Sequence, residues 1–107
     1  MKSLDLVENC PGLTYRKLDH WCRNGVFGDT YAQLPEHVRR DFTDEDARVA
    51  KVLGRVSLAF ESWSHRGGLL PLYREIAVQV RDDVSVAVVR IGPGITFIVD
   101  LEKVHSD

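Results

Sequence analysis

The side chains best suited to bind an anion are concentrated between Leu13 and Phe27, in the run LTYRKLDHWCRNGVF. Leu18, Trp21 and Cys22 fall at i, i+3 and i+4, the spacing of one buried helix face. Arg16, Lys17, Asp19, His20 and Arg23 are left for the other faces. Arg16 and Lys17 stand in the first turn, where the helix dipole favours anions. Cations set against the dipole suit contact with an outside group, and a nucleic-acid phosphate or base edge fits best. Arg16 has the fork to read a guanine edge, and Lys17 the point charge to hold a phosphate. Tyr15 suits contact with a sugar or a thymine methyl, and suits packing on the protein equally. Arg39 and Arg40 form a second basic pair able to enter a minor groove or hold phosphates; pairing with Asp41 or Asp44 is the alternative.

Other chemistries find no pattern. Asp19 and His20 are helix neighbours and do not converge on one atom, and no nucleophile stands near them. Cys10 and Cys22 lack metal-ligand spacing and read as buried thiols in a reducing compartment. His65-Arg66-Gly67-Gly68 and Gly92-Pro93-Gly94 are turns, not phosphate loops. Asp82, Asp83 and Asp100 offer no cation-binding loop. No catalytic residue, metal or cofactor is therefore expected.

These groups need elements to position them. Thr14 suits the N-cap of the cationic helix, and Asn24-Gly25 its stop. Before it, Leu4 to Asn9 reads as a short helix capped by Ser3, with Leu4, Val7 and Cys10 on one side and Pro11-Gly12 ending it. Two short helices joined by a tight turn follow helix-turn-helix logic. Residues 28 to 41 have weak periodicity and read as a loop or poor hairpin, with Leu34 to Val38 as a possible helical turn. Thr43 with Asp44, Glu45 and Asp46 is a strong helix start. That helix is expected to reach about His65 with Val49, Val52, Leu53, Val56, Ala59, Phe60 and Trp63 as its stripe. A second amphipathic helix spans Leu70 to Arg81, with Leu72, Ile76 and Val80 aligned. Val84 to Arg90 and Ile95 to Leu101 straddle Gly92-Pro93-Gly94 as a hairpin with a loop of about three residues.

In order and spacing the first half of the chain resembles the DNA-binding domain of MerR-family regulators and the related phage excisionases. The matching pieces are Leu4 to Cys10, Gly12-Leu13-Thr14, then Arg16, Leu18, His20 and Trp21, then Gly25-Val26-Phe27. A wing end reads Arg40-Asp41-Phe42-Thr43-Asp44-Glu45-Asp46. Tyr15 stands where the family has Pro, Val38-Arg39-Arg40 where a wing carries Gly-Tyr-Arg, and Gly28 to Arg39 departs from the usual wing. The resemblance implies an N-terminal winged helix-turn-helix and places His20 toward the phosphates. It implies DNA contacts at Thr14, Tyr15, Arg16, Lys17, His20, Arg23, Arg39 and Arg40.

Composition bounds this reading. The 107 residues carry 44% hydrophobic side chains, enough for a packed core. The formal charge is -2, and residues 1 to 43 hold six cations and six anions. Only segregation onto one face gives a basic surface, and the small phosphate footprint calls for dimerisation. Met1 to Gly12 is acidic without an apolar core, so no leader is expected, nor any membrane span; a soluble cytoplasmic chain follows. The fold expected is α+β: residues 1-66 as winged helix-turn-helix with linking helix, and 67-107 as helix plus β-hairpin serving oligomerisation. Double-stranded DNA and a second copy are the expected partners, with no small-molecule effector. The alternative is a protein-interaction module on the same fold. Trp21 is expected to be buried against Phe42 and the long helix, with Leu18 on Leu4 or Val7. The dimer contact is expected from Val84 to Leu101 with the Leu72-Ile76-Val80 stripe.

Overall fold

A computed structural model describes residues 1-34, 39-60 and 70-106, with Ile91 and Gly92 as backbone. Its elements are α1 (Ser3–Asn9), α2 (Tyr15–Arg23), α3 (Asp29–Ala32), α4 (Asp44–Ala59), α5 (Leu70–Arg81), β1 (Val86–Gly92), β2 (Ile95–Asp100) and α6 (Leu101–Ser106). The fold is α+β, with an antiparallel hairpin packed against helices.

The helix starts obey local chemistry. Thr14 Oγ1 accepts from Lys17 N at 3.2 Å. Thr43 Oγ1 accepts from Asp46 N at 3.1 Å, and Asp46 Oδ2 accepts from Thr43 N at 3.1 Å, a reciprocal capping box. The cap of α1 differs from expectation: Lys2 precedes it, and Asp5 Oδ2 accepts the Lys2 amide. Its buried face also differs. Leu6 and Cys10 are buried and Val7 half-buried, whereas Leu4 is 66% exposed. Leu4 is thus outside the core cluster that holds Leu18, whereas Val7 packs against that cluster.

Helix α4 is the centre of the core, with Val49, Ala50, Val52, Leu53 and Val56 buried. It ends at Ala59, short of His65, where Phe60 leaves helical geometry and sets its ring 4.8 Å from Phe97. Ala59 is exposed, and Trp63 lies outside the described residues. The turn after α1 lies directly on α4. Gly12 has φ +84, and a Cβ there would overlap the Gly54 carbonyl oxygen and meet Leu58 Cγ at 2.6 Å. A Cβ on Gly54 would in turn stand 2.7 Å from the Pro11 oxygen. Ser57 Oγ donates to Gly54 O at 2.7 Å beneath this contact.

Between Gly28 and Thr43 the described residues hold one helical turn, α3, and no strand. The expected poor hairpin is thus absent there, and most of the alternative turn, residues 35-38, lies outside the described residues. Tyr31 of α3 explains the local preference for a turn. Its ring stacks on Phe42 at 4.9 Å and its hydroxyl donates to Asp46 Oδ2 at 2.6 Å. Asp46 also accepts from Arg81 Nη2 at 3.4 Å, so one buried carboxylate joins α3, α4 and α5.

Helix α5 buries Leu72, Tyr73, Ile76, Ala77 and Val80. This stripe is consumed by the chain's own core, which corrects the expectation that it forms an intermolecular contact. Tyr73 also corrects the partner of Trp21: the indole is buried 5.1 Å from the Tyr73 ring, while Phe42 pairs with Phe27 and Tyr31. Arg74 donates from Nε and Nη2 to Asn24 O at 3.2 and 2.6 Å, closing the end of α2.

In the hairpin Val86 pairs with Asp100, Val88 with Ile98 and Gly92 with Ile95, with an irregularity between Arg90 and Gly92. The connection is the two residues Pro93-Gly94, tighter than expected; Gly94 takes φ +72. Ala87, Val89 and Val99 face inward. Leu101, expected in the strand, instead opens α6, because Asp100 Oδ1 accepts the Lys103 amide at 3.1 Å and starts a helix.

Candidate nucleic-acid interface

Helix α2 buries Leu18, Trp21 and Cys22, and this fixes what it offers outward. Tyr15, Arg16, His20 and Arg23 are exposed, as is Thr14 at the cap. The line Tyr15, Asp19, Arg23 borders a cleft of about 410 Å³, whose other walls include Lys2, Leu4, Arg39 and Arg40. Arg16 and His20 lie on the adjoining line of the same helix, which meets Arg23 at its end. Four of the eight expected contact residues, Tyr15, Arg23, Arg39 and Arg40, thus share one cleft. Thr14, Arg16 and His20 are beside it.

Lys17 is placed elsewhere. Its Nζ donates to Gly12 O at 2.9 Å and to Ser57 Oγ at 3.0 Å, pinning the α1–α2 turn to α4. The ammonium is committed inside the fold, so the expectation of a free phosphate anchor does not match its position. Nothing local in the sequence signals this, because Ser57 is far along the chain.

Asp19 is the residue that sequence reasoning passed over. Its Oδ2 accepts from Arg23 Nε at 2.9 Å and its Oδ1 from Arg40 Nη2 at 2.9 Å. The Arg23 pair was legible as an i, i+4 spacing; the Arg40 pair was not. Arg40 is held tightly, its side chain only 14% exposed. Burial alone would raise the Asp19 pKa, but the hydrogen bonds and charges of Arg40 and Arg23 outweigh it and hold the carboxyl below its usual range. A lowered carboxyl contributes stability above its unfolded pKa of about 3.9, and loses it as pH falls through the folded value. The chain is therefore expected to lose thermal stability below that range more steeply than Asp19→Asn does. Melts followed by circular dichroism across the acid range check this; parallel curves would refute it.

Neither thiol lines the cleft. Burial pushes the Cys22 thiol up to about 11 and also raises that of Cys10, so both stay protonated. Among the described residues no three His, Cys, Asp or Glu side chains gather as a metal would require. No helix among them is long and apolar enough to cross a membrane. No family model matches the chain, and no curated protein or solved structure matches it.

Proposed function

We propose that the chain binds double-stranded DNA through the outward face of α2 and Arg39-Arg40, as a transcriptional regulator or an excisionase-like architectural factor without an effector domain. One observation carries the reading: among the described residues four cations and one carboxylate line the cleft beside α2, although residues 1 to 43 are balanced overall. Segregation of this kind is what phosphate contact requires. Asp19 serves it by holding the Arg23 and Arg40 forks in fixed directions. Arg16 and His20, on the exposed line of α2, are suited to base edges in a major groove. The MerR-like order of pieces supports a helix-turn-helix role for α1 and α2. A homodimer matches paired half-sites and compensates for a small footprint.

Fluorescence anisotropy with random and selected duplexes over a salt series tests the reading. Affinity is expected to fall steeply with salt, and Arg16→Ala to cost about 1–3 kcal/mol on the selected site. Lys17→Ala is expected to lower stability instead, because its ammonium is a clamp. The second reading is a protein partner on the same face, favoured by the Asp19 carboxylate within the cleft. No salt-dependent binding to any duplex would favour that reading over the first.

A further inference from the structure

We propose that the outward edge of β2 pairs antiparallel with the same edge of a second copy, about a two-fold axis through Ile98, to form a continuous four-stranded sheet. The proposal deepens the dimeric part of the reading above and does not depend on DNA contact.

The register follows from an unusual contact. Gln79 Nε2 donates to Val88 O at 2.8 Å, and Gln79 Oε1 accepts from Val88 N at 2.8 Å. The polar backbone groups of Val88 therefore point away from β2. Its cross-strand partner is Ile98, so the two form a non-hydrogen-bonded pair and Ile98 also directs its N–H and C=O outward. The period of two extends this to Thr96.

The two edges of the sheet are consequently unlike. At Val88 the amide of Gln79 occupies the middle of the β1 edge. Among the described residues no strand other than β1 pairs with β2, and β2 borders a largely apolar groove of about 290 Å³ lined by Val56, Ala59 and Val104, with Arg55 and Lys103 also in its lining. Open edges with outward backbone groups favour strand addition.

A second copy of this chain fits that edge by charge. Arg90 lies near the hairpin tip opposite Thr96, and Asp100 lies at its base opposite Val86. Within one chain these charges are at opposite ends of the hairpin. Antiparallel pairing about Ile98 brings the tip of one hairpin beside the base of the other. Asp100 then faces Thr96 of the second copy, with Arg90 of that copy in the next strand of the same row. The central row becomes Val88, Ile98, then Ile98 and Val88 of the second copy. It covers the flank of Ile98, which is 64% exposed in the single chain.

Sedimentation of the full chain at micromolar concentration, with amide hydrogen exchange, tests the arrangement. The expected species has twice the 12.1 kDa chain mass, with Thr96 and Ile98 amides protected as concentration rises. Ile98→Lys sets like charges on the axis and is expected to weaken self-association by about tenfold or more, while Ile98→Val retains it. Both side chains stay exposed in the folded monomer, and circular dichroism verifies folding. A wild-type monomer would overturn the proposal. So would a dimer indifferent to Ile98→Lys, or one with Thr96 and Ile98 amides unprotected, as a face-to-face contact would leave them. Loss of DNA binding in Arg16→Ala with unchanged sedimentation bears on the DNA reading alone.

Discussion

Gly12→Ala is expected to destabilise the fold by about 2–5 kcal/mol. Two costs combine: about 1–2 kcal/mol for an L side chain in the left-handed backbone at φ +84, and about 1–3 kcal/mol for overpacking. The overlap falls on the Gly54 carbonyl, which belongs to a helix backbone and cannot rotate aside. Moving the turn would also separate Gly12 O from Lys17 Nζ. Gly54→Ala meets the same interface from the other side, at the Pro11 oxygen and, at 3.3 Å, the Leu13 nitrogen. Its gain of about 1 kcal/mol in helix propensity opposes the clash, so a smaller net loss is expected. Gly94→Ala is the control, with φ +72 and open space around it. Urea unfolding followed by far-ultraviolet circular dichroism ranks the three. A Gly12→Ala no worse than Gly94→Ala would mean that the turn does not rest on α4.

Trp21→Ala should cost about 3–5 kcal/mol, as truncation of a large core side chain does. The indole is almost fully buried and its ring meets Tyr73 at an interplanar angle of 54°. It therefore joins α2 to α5, and the loss is felt in both halves of the chain. Unfolding by circular dichroism gives the magnitude. In a Trp63→Phe background, iodide should quench Trp21 fluorescence poorly; ready quenching would make the indole a surface group.

Much of the fold was legible wherever the cause is local. Thr14 before α2, the Thr43–Asp46 box before α4, and the Leu72-Ile76-Val80 period of α5 each predict their element from residues a few positions apart. The hairpin was readable from its β-branched runs and Pro-Gly connection. Asp100 carried a cap signal for α6 that the surrounding strand pattern concealed. What the sequence hid was contact between distant residues. The Gly12–Gly54 approach, the Lys17–Ser57 bond and the Asp19–Arg40 bond each join separate elements. The same limit moved Trp21 from Phe42 to Tyr73. Of the candidate site, the exposed line of α2 followed from its buried stripe, whereas the shared cleft depends on where residues 39 and 40 return.

The side chain of Gln79 has a consequence for assembly size. By lending one donor and one acceptor to Val88 it acts as a single residue of an additional strand, on one border only. A protein with two receptive borders can add copies without end, as fibres do. A protein with one has a valence of one: the first partner consumes the site, and growth stops at a pair. In the proposed pairing, a glutamine on α5 thus leaves the hairpin one receptive border and limits the assembly to two copies.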